Sequence, residues 1–135
     1  MRATVTVAAL ALALAAPASQ AQSASGEQVY KEVCFACHAT GLEKAPKLGD
    51  RKAWAPLIKE GQSKLTADGW IGVRAMPPRG GKADLSLEDF SRAAAYMGRA
   101  GGANWKDPDA AMLANIQKRV KSRLDATAAK SKSTK

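Results

Sequence analysis

A short cluster, VCFACHATG at residues 33–41, holds both cysteines and the single histidine of this 135-residue chain. Cys34, Cys37 and His38 stand within five consecutive positions. Three chemistries use such a cluster: a zinc site, a thiol–disulfide pair and a covalently attached haem. The rest of the sequence has to decide among them.

Zinc and thiol–disulfide chemistry both fit the chain poorly. A structural zinc site almost always takes four ligands, and the chain has only three Cys and His residues. A three-ligand catalytic zinc site is possible on count alone, although the ligands would crowd one short segment. A thiol–disulfide protein that uses Cys34 and Cys37 is the remaining alternative, but its usual setting is a βαβ unit. This sequence shows helical spacing and no β-type alternation.

The haem interpretation uses all three residues of the cluster. Cys-x-x-Cys-His is the attachment pattern of a c-type haem. The two thiols add to the vinyl groups as thioethers, and the next residue, His38, reaches the iron. Aromatic residues are only 5% of a small chain, so a buried haem would also fill a centre that side chains alone fill poorly.

The N-terminus predicts export. Arg2 precedes an apolar run over residues 5–16, and Ser19-Gln20-Ala21 are residues that a signal peptidase reads. We expect a signal peptide over residues 1–21, because the apolar run is too short for a membrane span of about 20 residues. The mature protein is then expected in the periplasm, an oxidising compartment in which covalent haem attachment takes place.

Helix signals recur along the rest of the chain. Ser25 and Gln28 form a capping-box pattern, and the clearest helix start has Ser86 as N-cap with Asp89 at the N3 position. There Leu85 and Phe90 can form a hydrophobic staple, and Gly101-Gly102 should end the helix. Further helices are predicted over residues 52–59 and 63–71, with Pro56 limiting how early the former begins and with Trp54, Leu57 and Ile58 turned inward.

The sixth iron ligand has few candidates. His38 is the only histidine, so the position is open, or is filled by methionine or by a rarer ligand. Met97 lies on the apolar stripe of a predicted helix and is interpreted as core, and Met112 lies in the basic tail. Met76 precedes Pro77-Pro78 in a loop rigid enough to hold a thioether over the haem, and it is the favoured ligand.

Five segments together resemble a known family: CFACH, APKLGD, AWAPLIKEG, AMPPRGG and LSLEDFSRAAAYM. They are similar to a class I c-type cytochrome of the small bacterial cytochrome c5 type, over about residues 25–98. The resemblance implies an all-α fold wrapped around one covalent haem c, with His38 below the iron and Met76 above it. It also implies that the Pro46 carbonyl accepts a hydrogen bond from the other ring nitrogen of His38, which would fix the tautomer.

The sequence departs from that family in two places. Members of the group often carry an additional disulfide near the Gly-Gly loop, whereas here Lys82 follows Gly81 and no further cysteine exists. The chain also continues beyond the compact family domain. We therefore expect a haem domain over residues 22–100 and a basic extension over residues 101–135.

The extension is predicted to be an amphipathic basic helix. Residues 22–98 hold 11 Lys and Arg against 9 Asp and Glu, a charge of +2, whereas residues 99–135 hold 9 against 3, a charge of +6. Asp107 should be the N-cap, with Pro108 at N1 and a frayed end from Ala128. Its apolar stripe is Leu113, Ile116, Val120 and Leu124.

Three roles remain open for this tail: covering the cytochrome body, docking on an acidic partner, or lying on an anionic membrane surface. The interpretation of the whole chain is an exported, monohaem, one-electron carrier of a respiratory chain, and not an enzyme. Its partners are expected to be redox proteins with acidic docking surfaces, and nucleic acid is not expected. The alternative is an electron-entry subunit that the tail holds permanently on an oxidoreductase; the sequence leaves the oligomeric state open.

Overall fold

The computed structural model describes residues 23–133, and these residues form helices joined by loops, without a β-strand. The first helix, α1, has three consecutive stretches: α-helical Gly26–Val29, π-helical Tyr30–Cys34 and α-helical Phe35–His38. The later helices are α2 (Arg51–Lys59), α3 (Gln62–Ile71), α4 (Leu87–Ala100) and α5 (Ala110–Ser133), and short 3₁₀ turns occupy Leu42–Lys44 and Pro78–Gly81. The all-α prediction is confirmed.

Helix α1 begins at the predicted capping box. The backbone N–H of Gln28 donates to Ser25 Oγ at 3.2 Å, and that of Ser25 donates to Gln28 Oε1 at 2.9 Å. Tyr30, Cys34 and His38 are buried along the helix at intervals of four residues. In a regular α-helix such residues drift around the axis, because each turn takes only about 3.6 residues. The wider π-helical turn offsets this drift and keeps the three side chains toward the interior.

Helix α2 starts one residue earlier than predicted and places its apolar residues as expected. Asp50 caps it by accepting from the N–H of Ala53 at 3.1 Å. Trp54 is buried, and its indole N–H donates to the Lys47 carbonyl at 2.8 Å. We expected Pro56 to limit how early the helix begins, but this was wrong. Pro56 lies inside the helix as its sixth residue. Pro56 and Lys52 are both exposed, so solvent can satisfy the Lys52 carbonyl that has lost its partner.

Helices α1 and α4 pack against each other and form the base of the core. Ser86 Oγ accepts from the N–H of Asp89 at 3.0 Å, and the staple residues Leu85 and Phe90 are both buried, which confirms the predicted start of α4. A Cβ at Gly26 would overlap the Arg92 carbonyl, so the glycine permits the close approach of the two helices. Met97 is a core residue, as predicted.

The tail begins differently from its prediction. Asp109, not Asp107, caps α5, because its carboxylate accepts from the N–H of Met112 at 2.8 Å. Asp107 instead forms an ion pair with Arg99 at 2.9 Å. The helix continues through Ser133, whereas a frayed end from Ala128 was expected. Alanine and lysine, which dominate this segment, are strong helix formers.

Helix α5 lies along α3 and touches α4. Its Ile116 is 0% exposed, and Arg123 pairs with Asp68 of α3 at 2.6 Å. The apolar contact ends before Leu124, which is 51% exposed. The first half of α5 therefore covers the body, whereas the residues from Leu124 onward are exposed.

The predicted signal peptide, residues 1–21, lies outside the described residues. Between residues 23 and 133, no helix combines the length and the apolar character that a membrane span requires.

Candidate haem site

The residues of the Cys-x-x-Cys-His motif form the last turns of α1. Cys34 is 5% exposed, His38 is 7% exposed, and Cys37 is half-buried. The two cysteines are free thiols. Burial, together with the smaller effect of the nearby Cys37, raises the pKa of Cys34 to about 11. A thiol that stays protonated is a poor nucleophile, which argues against the thiol–disulfide alternative.

The ring of His38 is held by the loop that follows α1. Its Nδ1–H donates to the Pro46 carbonyl at 2.8 Å. The His38 carbonyl accepts from the Leu48 N–H at 2.8 Å, which fastens the same loop to the end of the helix. With Nδ1 engaged, Nε2 is the ring nitrogen left to bind a metal, and the hydrogen bond fixes the ring's orientation.

Met76 lies on the loop between α3 and α4. Two backbone hydrogen bonds join it to Val73: the Met76 N–H donates to the Val73 carbonyl at 2.9 Å, and the Val73 N–H donates back at 3.1 Å. Its half-buried side chain packs against the core, and its Cε lies 3.7 Å from the place where a Cβ on Gly69 would be. The thioether is therefore turned toward α3.

The Met76 loop is clamped to α3 by a cation–π contact. The guanidinium carbon of Arg79 lies 4.7 Å from the centre of the Trp70 ring, and Arg79 Nη1 donates to the Ala83 carbonyl at 2.5 Å. Trp70 in turn meets the edge of Phe90, with 5.5 Å between the ring centres. We had not predicted this clamp. Its only signal in the sequence is an arginine directly after the Pro-Pro pair of AMPPRGG.

A cavity of about 480 Å³ lies between these two loops. Pro46, which holds His38, contributes to one wall, and Arg74, two residues before Met76, contributes to the other. Helix α2 lines it through Ala53 and Leu57. The cavity therefore lies between the loop that holds His38 and the loop that carries Met76, although none of Cys34, Cys37, His38 and Met76 lines it.

Residues of the core and of α3 fit a large apolar group with polar edges, and one of them, Leu57, also lines the cavity. Several apolar side chains that pack against the core remain only partly buried: Val33, Leu48, Leu57, Ile58, Leu65, Trp70 and Met76. Thr66 Oγ1 is the one buried side-chain polar atom without a partner among the described residues, and it shares a face of α3 with Gly69 and Trp70. Ser91, equally buried, donates to the Leu87 carbonyl at 2.6 Å. The residues present thus fit a haem c.

A zinc site has no support in residues 23–133, since no three His, Cys, Asp or Glu side chains are grouped there so as to hold a metal ion. The donors of the Cys-x-x-Cys-His motif and of Met76 are of another kind. An imidazole with Nδ1 engaged, two thiols and a thioether suit covalent haem attachment and haem-iron ligation.

Comparison with known proteins gives a family for residues 21–97, which match the family model described as cytochrome c oxidase, cbb3-type, subunit III. The chain is 40% identical over 79 residues to cytochrome c-555 of Chlorobaculum tepidum, covering 56% of this chain and 73% of that protein. It is 43% identical over 75 residues to cytochrome c5 of Azotobacter vinelandii, covering 54% of this chain and 90% of that protein.

A solved structure agrees with these relatives. It is that of an electron-transfer complex of nitrite reductase with cytochrome c, and its matching chain is 46% identical, with a TM-score of 0.54. The match covers 56% of this chain and 93% of the other, so a large part of this chain has no counterpart in it. The chain belongs to the class I c-type cytochromes, the small electron-carrying proteins with one covalently bound haem c.

Proposed function

We propose that the protein is an exported one-electron carrier whose haem would be attached through Cys34 and Cys37, with His38 and Met76 as the protein ligands of the iron. The observation that carries this proposal is the 2.8 Å hydrogen bond from His38 Nδ1 to the Pro46 carbonyl, beside the cavity that faces the Met76 loop. It leaves Nε2 of a buried imidazole available to a metal.

The haem, when bound, supplies one-electron Fe(III)/Fe(II) chemistry, and the chain determines how it is used. The Pro46 carbonyl fixes the tautomer and orientation of His38. The Met76 thioether would favour the reduced state and raise the potential. With both His38 and Met76 bound to the iron, no position would be left for a substrate, and the protein would act as a carrier rather than as an enzyme.

The attachment is tested by mass spectrometry of the denatured protein from cells competent for haem attachment. Wild type should carry the mass of one haem, whereas the double variant Cys34→Ala/Cys37→Ala should retain none after denaturation. The single variant Cys37→Ala should still carry one thioether. A wild-type chain with the bare polypeptide mass would refute covalent attachment through these thiols.

We also propose that the protein acts in the periplasm and that its partners are redox proteins. The matching chain in the solved structure belongs to an electron-transfer complex with nitrite reductase, which supports redox proteins as the class of partner. The exposed cations of α5, such as Lys118 and Arg119, would suit an acidic docking surface or an anionic membrane.

A permanent electron-entry subunit is the second candidate, and the description of the matching family as an oxidase subunit favours it. Purification of the tagged protein at physiological and at high salt separates the two. A free carrier should elute from the column without a partner protein at both salt concentrations. A permanent subunit should bring an oxidoreductase with it at physiological salt, and the loss of that partner in a chain ending at Arg123 would assign the attachment to the tail.

A further inference from the structure

One face of α5 carries a row of three lysines. Residues 118, 121, 125, 129 and 132 follow one another at intervals of three or four, so they lie along one side of the helix. Three of these positions are Lys118, Lys121 and Lys132, which we call the lysine stripe. Asp125 and Ala129 occupy the positions between Lys121 and Lys132.

The lysine stripe is turned away from the body of the protein. Ile116, which is 0% exposed, and the half-buried Val120 lie on the opposite side of α5 and pack toward the body. All residues from Lys121 to Ser133 are exposed, and the helix continues for about 15 Å beyond Arg123, which pairs with Asp68. The stripe is therefore open to solvent over a length of about 21 Å.

Little of the charge on this part of α5 is neutralised by the protein itself. Residues 118–133 hold six Lys and Arg against one Asp, a charge of +5. Among residues 23–133, neither Lys118 nor Lys132 has a hydrogen-bond or ion-pair partner. Lys121 pairs with Asp125 at 2.6 Å, but their side chains are 77% and 65% exposed, and such pairs contribute little to stability. The stripe is thus positive charge that folding does not use.

The apolar content of α5 favours a protein over a membrane as the occupant. A helix that lies in a membrane interface buries a face of large apolar side chains among the lipids. In α5 the face that carries Ile116 and Val120 already packs toward the body. Beyond it, Leu124 is the single large apolar residue of the segment 121–133. What α5 offers to a partner is therefore charge, with little apolar surface to insert.

We propose that the lysine stripe docks on an acidic surface of a redox protein. The inference rests on the proposed function only in naming the partner as a redox protein. Complementary charge accelerates the encounter of two proteins and orients them, and its effect falls as salt screens it. Because α5 borders α3 at Ala67 and Asp68, whereas Gly69 meets the tip of Met76, docking on the stripe should leave the Met76 site unchanged.

The test is binding of the holoprotein to immobilised, oxidised flavodoxin, an acidic electron carrier, measured by surface plasmon resonance. Wild type is compared with the stripe variant Lys118→Gln/Lys121→Gln/Lys132→Gln. The variant should bind about tenfold more weakly at low ionic strength, mainly through slower association. The difference should shrink between about 0.01 M and 0.15 M salt, because the screening length falls from about 30 Å to about 8 Å. Charge reversal of the same lysines to Glu should weaken binding further.

The matched control removes the same number of charges elsewhere, in Lys52→Gln/Lys59→Gln/Lys106→Gln. These three lysines are exposed and lie outside α5. The control should keep most of the wild-type affinity. An equal loss in the control and in the stripe variant would show that net charge alone decides binding, and would overturn the proposal, as would equal affinities of wild type and the stripe variant.

A membrane as the true occupant is recognised with vesicles of phosphatidylglycerol and phosphatidylcholine in equal parts. At about 0.15 M salt we expect no binding of wild type to them, since three exposed lysines supply only about 1 kcal/mol each at a fully anionic surface. Wild type that binds the vesicles through the stripe, while the stripe variant keeps its affinity for flavodoxin, would assign the stripe to a membrane and overturn the proposal.

Failure of the proposed function is recognised separately. Binding to oxidised flavodoxin involves no electron transfer, so it reports on the stripe independently of the haem. Haem mass and the weak far-red absorption band of thioether-bound Fe(III) are measured on the same samples. A sample that lacks either one refutes the proposed attachment or ligand set, whereas a sample that has both, but in which the stripe variant binds as the control does, refutes this inference alone.

Discussion

Single residues determine how closely the segments of this protein approach one another. Gly98 of α4 lies beneath the Trp105 ring, and a Cβ there would overlap the ring carbons. Trp105 is half-buried, and its carbonyl accepts from Arg99 Nη1 at 3.3 Å. The glycine therefore lets Trp105, in the segment after α4, pack directly against the backbone of the helix. Nothing in the sequence around Gly98 predicts this contact, because the partner residue approaches from outside the helix.

Gly98→Ala should destabilise the protein by about 1–3 kcal/mol, because the methyl group overpacks the contact with Trp105. In an ordinary helix interior the same change stabilises by about 1 kcal/mol. The sign should therefore reverse in a Trp105→Ala background, where the overlap is removed. Urea denaturation of the four proteins of this cycle measures the coupling. A stabilising Gly98→Ala in the wild-type background would contradict the packing described here.

At the scale of elements, local signals predicted the helix starts well. The N-cap residues Ser25 and Ser86 start their helices, and Gly101-Gly102 ends α4. Each of these signals acts within a few residues of its helix end, so the local sequence is enough to find it. The start of α5 was wrong because Asp107 and Asp109 flank one proline and both suit an N-cap. Only the tertiary contact with Arg99 decides between them.

The site was predictable to the extent that it is local. The positions of Cys34, Cys37 and His38 follow from one motif and one helix. The Trp70–Arg79 contact depends on how the Met76 loop lies against α3. No periodicity in the sequence encodes that relation.

If Met76 is the iron ligand that we propose, the cation–π contact between Arg79 and Trp70 should influence how strongly it binds the iron. Arg79→Ala removes a cation–π contact worth about 0.5–2 kcal/mol and frees the loop from α3. The thioether band of the oxidised protein should then be lost at a lower pH or temperature than in wild type. Lys82→Ala is the control, since Lys82 is a cation of the same loop that pairs only with the exposed Asp84. If both variants lose the thioether band at the same pH and temperature, the cation–π contact of Arg79 does not stabilise the binding of Met76 to the iron.

For the whole molecule, the orientation of α3 separates the tail from the Met76 loop. Asp68 and Ala67 of α3 border α5, whereas Gly69 meets Phe90 and the tip of Met76. The basic helix thus lies on a different face of α3 from the proposed iron ligand. Its contacts with α3 and α4 cover the body on that face.

The two halves of α5 should differ in their contribution to stability. Ile116→Ala should cost about 2–5 kcal/mol, because Ile116 is fully buried against the body. Leu124→Ala should change the free energy of unfolding by less than about 0.5 kcal/mol, since Leu124 is exposed. Thermal denaturation of both variants compares them. A small effect at Ile116 would mean that α5 does not cover the body in solution.

The central claim is a haem iron bound by His38 and Met76, and the optical spectrum of the oxidised protein tests it most directly. Wild type and Met97→Leu, a change that conserves core volume, should both show the weak far-red band of thioether-bound iron. Met76→Ala should lose that band and, once reduced, should bind carbon monoxide. A Met76→Ala protein that keeps the band, or a Met97→Leu protein that loses it, would contradict the account and reassign the ligand.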